Sequence, residues 1–169
     1  ACMAIEKITG LTAEIKWPND VVINKKKTTG ILTEMGMAEG KISYVIVGIG
    51  INLNMESFPE ELAYKATSLK IECGHEINRD EIAAALLFYF EQYYEKFEQT
   101  HNLEFLIEEY NNHLVNRKKE VLIKEKDGEY TGISRGINDK GELLVEKKDG
   151  TCVEIFSGEV SVRGLYGYV

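Results

Sequence analysis

The sequence has few cysteines, no long apolar run and too little positive charge to balance its acids, and each shortage excludes a class of protein. Its three cysteines are odd in number and far apart, so they provide neither a disulfide framework nor a Cys-x-x-Cys metal site. They favour a reducing, cytoplasmic location. No segment approaches the roughly 18 apolar residues of a membrane span, and no secretory signal sequence is visible, so we expect no membrane partner.

Acidic residues outnumber basic ones by 28 to 20, which gives a formal net charge of −8. Nucleic acids bind basic surfaces that neutralise their phosphates, so we do not expect this chain to bind DNA or RNA by itself. The histidines His75, His101 and His113 lack metal-ligand spacing, and no protein-held metal is expected. A length of 169 residues allows one good core, or one core and a small module.

The first two thirds of the chain predict an α+β domain. An opening helix should end at Gly10, because glycine readily forms a left-handed cap. Strands are predicted at residues 11–16, 21–24, 30–37 and 41–48, and the apolar run 44–47 suggests a central strand covered on both faces. A long helix, capped by Asn78, should run to about Gln99, and a second helix should span 103–113. The expected core stripe of the long helix comprises Ile82, Leu86, Phe90, Tyr93 and Phe97.

From about Lys119 the hydrophobic pattern changes from a helical period to alternation. Short strands are predicted at residues 121–123, 130–137, 141–146, 152–156 and 160–163, with turns at Asp127-Gly128, Asp139-Lys140-Gly141 and Asp149-Gly150. Five short strands in about fifty residues predict a small antiparallel barrel. We therefore divide the chain into domains 1–116 and 117–169, and we expect the small second domain to lean on the first.

A lysine at a rigid turn is the first candidate functional residue. Pro18 fixes its own φ and drives Trp17 toward extended geometry, so Lys16 is held at a strand end that cannot continue as a helix. A stiffly held cation suits an electrostatic catalyst that meets a developing negative charge. A lone lysine at a strand end is also commonly a solvated surface charge, and both interpretations stay open here. The basic stretch 24–27 is interpreted as a hairpin tip kept soluble by its charge.

Two glycines, Gly48 and Gly50, lie on the same side of a predicted strand. They leave that face without side chains, so a flat ligand or another backbone can approach it closely. A bulge or tight sheet packing would explain the same pattern. Asn52 follows the glycines with an amide that can donate and accept hydrogen bonds.

Several segments, in this order, resemble the motifs of biotin protein ligases. They are Lys16-Trp17-Pro18-Asn19-Asp20 (the family's KWPND), Lys27-Thr28-Thr29-Gly30-Ile31-Leu32-Thr33-Glu34 (K-x-x-G-I-L-x-E), Gly48-Ile49-Gly50-Ile51-Asn52 (G-x-G-x-N), and residues 132–137 and 158–161 of the C-terminal barrel. The resemblance implies an α+β fold with a mixed β-sheet backed by helices, which is part of a class II synthetase-like catalytic domain. A small SH3-like β-barrel follows it.

The resemblance also implies an activity. Biotin protein ligases use ATP and Mg²⁺ to convert biotin to biotinyl-5′-AMP, and they transfer the biotin to a lysine of a biotin carboxyl carrier domain. By this resemblance Lys16 is catalytic and contacts biotin, and the nucleotide contacts are Asn19, Asp20 and Asn52. The further implied biotin contacts are Gly30, Ile31, Leu32, Gly48 and Gly50. No residue is implied as a metal ligand or a covalent nucleophile.

The sequence departs from the family pattern at its start. It lacks the glycine- and arginine-rich loop that the family places before KWPND, and the helix-turn-helix of the members that repress transcription. We therefore expect a fragment that adenylates biotin inefficiently alone, binds DNA only through such an absent domain, and is compatible with a homodimer. Two alternatives remain: a non-catalytic docking remnant of a ligase, and a lipoate or octanoate transferase relative.

Overall fold

The computed structural model describes residues 1–125, 128–156, 161–164 and 169, which form two antiparallel sheets and several helices. The helices are α1 (Cys2–Thr9), α2 (Glu60–Ala63), α3 (Leu69–Cys73), α4 (Arg79–Thr100) and α5 (Ile107–His113), with a 3-10 turn at Glu104–Leu106. As predicted, Gly10 ends α1 in the left-handed region and Asn78 caps α4. Residues 127 and 158–160 of the predicted turn and barrel motif lie outside the described residues.

The first sheet has the order β1 (Glu14–Lys16), β2 (Asp20–Ile23), β3 (Lys26–Ala38) and β4 (Lys41–Ile51). Neighbouring strands are antiparallel, and isolated parallel bridges join Ile15 to Leu114 and Lys27 to Ala66. The turn between β2 and β3 contains only Asn24 and Lys25, both at positive φ, as a two-residue hairpin requires. Lys26 and Lys27 therefore belong to a strand and not to the predicted hairpin tip.

One face of this sheet packs on helices. Ile15, Val21 and Ile51 join a core that includes Ile5 of α1 and Ile82 of α4. The alternation of apolar side chains along β1, β2 and β4 directs one row of them toward α1 and α4. The opposite face carries Gly30, Gly48 and Gly50 together with the exposed Leu32. Among the described residues, no helix is long and apolar enough to cross a membrane.

Two predictions of burial are wrong. Residues 44–47 are 41% to 59% exposed, and β4 is not a central strand but the edge strand of the sheet, which pairs, among the described residues, with β3. On α4, Phe90 and Phe97 are exposed, whereas Ile82 is buried. Tyr93 of the same predicted stripe is half-buried, and its hydroxyl group donates a hydrogen bond to Glu109 of α5.

The second sheet contains the five strands that the alternation predicted, with shifted ends. They are β5 (Glu120–Glu125), β6 (Gly128–Ile137), β7 (Leu143–Lys147), β8 (Cys152–Ile155) and β9 (Ser161–Gly164), in the order β8-β7-β6-β5-β9. Every neighbouring pair is antiparallel. The fold is thus α+β, and the division at residues 116 and 117 stays a prediction.

Trp17 connects the two sheets. Its buried side chain belongs to the same hydrophobic cluster as Val121, Ile137 and Val145 of the second sheet. Its Nε1–H donates a hydrogen bond to the carbonyl oxygen of Gly141, at 3.0 Å. The expectation that the small second unit leans on the first is therefore confirmed, since a residue of the turn between β1 and β2 completes its core.

We expect Trp17→Ala to destabilise the protein by about 3–5 kcal/mol, the cost of truncating a large buried aromatic side chain. Urea unfolding followed by far-ultraviolet circular dichroism measures this change, and Phe156→Ala, at an exposed aromatic residue, is the matched control. Equal stability losses in the two variants would contradict the structural role assigned to Trp17.

Candidate functional site

The predicted glycine face exists, and it is built by regular strand pairing. Gly50 lies opposite Gly30, and Gly48 lies opposite Leu32, with no register shift at these positions. Opposed residues of antiparallel strands project to the same face. A Cβ placed on Gly48 would meet its nearest atom at 3.6 Å, and one on Gly50 at 3.9 Å. Within the described residues, neither glycine is required by a bulge or by tight packing, so the face is open.

An open cavity of about 500 Å³ lies at this glycine face. Its lining residues are Asn19, Lys27, Gly30, Ile31, Leu32, Gly48, Ile49 and Gly50. The volume lies within the range of sites that bind small molecules. Five of the predicted biotin contacts, at positions 30, 31, 32, 48 and 50, are therefore brought together. Strand alternation directs the side chain of Ile31 to the reverse face, where it lines a second cavity with Ile15 and Val21.

Lys27 supplies the cation of the glycine-face cavity. Its ammonium forms an ion pair with the Asp20 carboxylate. A Cβ on Gly30 would lie 3.0 Å from both Cε and Nζ of Lys27, so the end of the lysine side chain crosses directly above that glycine. The missing side chain of Gly30 therefore makes room for the ammonium group, which lies beside the bare part of the sheet.

A β-bulge directs Lys27 to this face. Val21 pairs with Thr29, but its neighbour Val22 pairs with Lys27, so Thr28 is an extra residue in β3. Lys27 and Gly30 are three positions apart and would project to opposite faces of a regular strand. The extra residue reverses this relation, and re-aiming a side chain is a common consequence of bulges. Lys27 consequently shares a face with Asp20 and Gly30.

Lys16 lies farther from the cavity. Register pairs place Lys16 opposite Asp20, and Asp20 opposite Gly30, so all three residues share a face. Two interstrand spacings, about 10 Å, separate the backbones of Lys16 and Gly30. The lining of the cavity includes Lys27, whereas Lys16 is not among its residues in the described part of the chain. The catalytic role expected for Lys16 stays a prediction.

The three residues predicted to contact the nucleotide form hydrogen bonds with the backbone or an ion pair in the structure. The side-chain amide of Asn19 donates to the Ile31 carbonyl oxygen at 2.7 Å, and the Ile31 N–H donates to the Asn19 carbonyl oxygen at 2.9 Å. Asp20 is buried and pairs with Lys27. The Nδ2 of Asn52 donates to the Thr67 carbonyl oxygen at 3.1 Å. The nucleotide roles of these residues stay predictions.

Lys27 lines the cavity, but the sequence reasoning gave it no role there. It was part of the quoted K-x-x-G-I-L-x-E segment, but it was assigned to a solvated hairpin tip and received no role. The signal that could have found it is the glycine three positions later, which leaves space for a long side chain. Interpreting that signal requires the bulge at Thr28, because regular alternation places the two residues on opposite faces.

The arrangement suits the binding of an anion attached to an apolar body. A cation beside a bare sheet surface can hold a carboxylate or phosphate while the apolar part lies on the glycines. Thiol nucleophiles are not favoured: burial raises the pKa of Cys2 to about 12, and burial also raises the pKa of Cys73. Both thiols therefore stay protonated at neutral pH.

Two sequence families match the chain. Residues 2–52 match the Biotin/lipoate A/B protein ligase family, and residues 119–163 match the Biotin protein ligase C terminal domain. Among curated proteins, the bifunctional ligase/repressor BirA of Bacillus spizizenii is 38% identical over 137 residues, which cover 80% of this chain and 42% of the relative. BirA of Escherichia coli is 32% identical over 135 residues, which cover 79% and 41%. The chain thus spans less than half the length of these relatives.

Solved structures of a biotin protein ligase from Aquifex aeolicus share the fold. The apo structure has a TM-score of 0.86 and 32% sequence identity, and the match covers 96% of this chain and 70% of that one. The complex of the same ligase with biotin and ATP has a TM-score of 0.84 and 32% identity, covering 96% and 67%. The likeness extends across both sheets, because nearly the whole chain is matched.

Proposed function

Because the chain belongs to the biotin protein ligase family, we propose that the protein activates biotin with ATP and transfers it to a lysine of a carrier protein. The observation that carries this proposal is the Lys27 ammonium held above Gly30, beside the bare face of Gly48 and Gly50. Biotin is a compact ureido and thioether ring system with a chain that ends in a carboxylate, and the cavity offers a bare sheet surface with one cation at its side.

We propose that the rings of biotin lie on the Gly48–Gly50 face beside Leu32, and that the carboxylate points toward Lys27. The glycines permit close approach of a flat group, while Leu32 contributes apolar contact at the side. Asp20 keeps Lys27 in place before the substrates arrive, so little reorganisation is needed when they bind.

The proposed first step joins two anions. A carboxylate oxygen of biotin attacks the α-phosphorus of ATP, the bond to pyrophosphate breaks, and biotinyl-5′-AMP forms. Lys27 offsets the repulsion between the carboxylate and the phosphate and stabilises charge that develops at phosphorus. In the second step a carrier lysine amine attacks the acyl carbon, the amine loses a proton, and AMP leaves as the new amide forms.

We propose that Mg²⁺ enters with the phosphates of ATP. No group of three or more His, Cys, Asp or Glu side chains that could hold a metal occurs among the residues that the structure describes. Mg²⁺ commonly keeps several waters and is held by substrate phosphates with one or two carboxylates. The Asp20 carboxylate, which forms an ion pair with the cavity residue Lys27, could serve as one of these carboxylates.

We further propose a cytoplasmic location, a biotin carboxyl carrier domain as the acceptor, and a homodimer as the oligomeric state. The BirA relatives are named ligase/repressors, and the matched segment is about 42% of their length. We propose that DNA contacts require a helix-turn-helix domain that this sequence does not contain, since a chain with a net charge of −8 offers little attraction to phosphates.

A pyrophosphate-release assay on the complete protein tests this function. We expect pyrophosphate release that requires both biotin and ATP, followed by biotinylation of an added carrier domain. Octanoate is supplied in parallel reactions. Octanoyl transfer without biotin transfer would identify a lipoate or octanoate transferase, whereas absence of biotin binding by isothermal titration would favour a docking protein.

A further inference from the structure

Asn52 lies at the end of the glycine face. It comes two residues after Gly50, so the alternation that continues from β4 directs its side chain to the same side as Gly48 and Gly50. Its backbone is fixed on both sides, because its N–H donates to the Thr28 carbonyl oxygen at 2.7 Å and its carbonyl oxygen accepts the Leu69 N–H at 2.9 Å. The nucleotide contact predicted for this residue therefore depends on how its side-chain amide is turned.

Backbone carbonyl groups set the orientation of that amide. The Asn52 Nδ2 donates to the Thr67 carbonyl oxygen at 3.1 Å and makes a longer 3.5 Å contact with the Lys27 carbonyl oxygen. Only the nitrogen of an amide donates, so these contacts turn Nδ2 toward the backbone and turn Oδ1 away from it. The amide oxygen, which accepts hydrogen bonds, is then the atom that Asn52 offers to a ligand.

Glu72 holds Thr67 in place. Its Oε1 accepts a hydrogen bond from the Thr67 hydroxyl group at 2.6 Å, and its Oε2 accepts one from Nδ2 of Asn24 at 2.6 Å. Glu72 lies on α3, whereas Asn24 belongs to the turn between β2 and β3. Hydrogen bonds to a carboxylate are short and strong. One half-buried carboxylate thus ties the buried Thr67 and the helix that follows it to a turn of the first sheet.

We propose that Glu72 is a positioning residue for Asn52, which deepens the proposed function and rests on it. By fixing Thr67, Glu72 keeps the Asn52 amide oxygen turned toward a hydrogen-bond donor of the bound nucleotide. ATP carries two kinds of donor that suit an amide oxygen: the 6-amino group of adenine and the hydroxyl groups of ribose. Glu72 acts through Thr67 and does not itself touch the nucleotide.

The kinetics of pyrophosphate release by the complete protein, at saturating biotin, test this role. We expect Glu72→Ala to raise KM for ATP by about 3- to 10-fold, the scale of one lost hydrogen bond, with kcat within about 2-fold of the wild-type value. Thr67→Val removes the same contact from the other side and keeps nearly the same shape, so we expect a similar rise. This second variant serves if Glu72→Ala prevents folding.

A double-mutant cycle separates orientation of the amide from general support of the fold. We expect Asn52→Ala to raise KM for ATP at least as much as Glu72→Ala does. In the Asn52→Ala background, Glu72→Ala should have little further effect on KM, because the amide that Glu72 orients is gone. Affinity for biotin, measured by isothermal titration, should be unchanged in each variant.

Inosine triphosphate, which lacks the 6-amino group, identifies the donor on the nucleotide. Its inhibition constant against ATP is measured for the wild-type protein and for Glu72→Ala. If only the affinity for ATP falls, the donor is the amino group of adenine, whereas equal losses for both nucleotides identify a ribose hydroxyl group. Both results support the positioning role.

Glu6→Ala is the matched control. Glu6 is also a half-buried carboxylate that bridges two segments, since its Oε1 accepts the Ala13 N–H at 3.1 Å and its Oε2 lies 3.4 Å from Nε2 of His113. These partners do not belong to the segment that orients Asn52. We expect Glu6→Ala to lower the melting temperature and to leave KM for ATP unchanged.

The outcomes distinguish the positioning role from the ligase function. An unchanged KM for ATP in Glu72→Ala or in Asn52→Ala, losses that add fully in the double variant, or a parallel loss of biotin affinity would each overturn the positioning role and leave the ligase function intact. A wild-type protein that releases no pyrophosphate refutes the proposed function itself, and the positioning role with it.

Discussion

Replacing Lys27 with alanine is expected to lower the rate of biotin adenylation by about 10²- to 10³-fold, the loss that follows removal of one preorganised group at a developing negative charge. The physical reason is that Lys27 is the cation that lines the glycine-face cavity in the described structure. Without it, the carboxylate of biotin and the α-phosphate of ATP meet without the charge of Lys27, beside an Asp20 carboxylate that has lost its ion pair with Lys27. Single-turnover pyrophosphate release with saturating biotin and ATP measures this loss.

Lys16→Ala is the comparison that decides between the two lysines. Both variants remove one positive charge from the same face of the same sheet, so they share any long-range electrostatic effect. They differ in position, since Lys16 lies on β1, about 10 Å from the backbone of Gly30. If Lys27 is the principal cation of the chemical step, Lys16→Ala costs less than about 10-fold. A large loss for Lys16→Ala and a small one for Lys27→Ala would restore the sequence-based assignment and remove Lys27 from the chemical step.

Local patterns predicted most of the elements and the bare face of the site. Gly10 ends α1 and Asn78 caps the start of α4. Both effects depend on local backbone geometry, so the sequence was sufficient to predict them. The spacing of Gly48 and Gly50 gave the open face directly, because residues two apart in a strand share a side. Predicting that Lys27 lines the cavity required knowledge of the bulge at Thr28, and no local sequence pattern indicated that bulge.

Burial was harder to predict than periodicity. The apolar run 44–47 and the helical stripe that contains Phe90 predicted correctly which side chains lie together, but they were wrong about whether another element covers them. Periodicity reports which residues share a face, whereas burial depends on a partner element elsewhere in the molecule. The nucleotide contact that the family resemblance implies for Asn52 stays a prediction, while its Nδ2 donates a hydrogen bond to the Thr67 carbonyl oxygen.

Valine at position 50 is expected to weaken biotin binding by about 5- to 150-fold, which corresponds to about 1–3 kcal/mol of overpacking when extra methyl groups enter an occupied space. Gly50 has room for the substitution in the protein itself, since its nearest neighbour would lie 3.9 Å from the new Cβ. Valine also favours extended backbone and restricts the unfolded chain. The melting temperature should therefore stay unchanged or rise while the affinity for biotin falls.

Isothermal titration with biotin, in the absence of ATP, measures this effect separately from catalysis. Gly50→Ala adds one methyl group at the same place and should give an intermediate loss, whereas Val47→Ile adds one carbon on the reverse face of β4 and should give none. A graded loss across the two position-50 variants, without a matching loss of stability, is what a substrate lying on the glycines requires. Full biotin affinity in Gly50→Val would instead mean that the bare sheet faces solvent and that the vitamin binds elsewhere, however well Lys27 is placed.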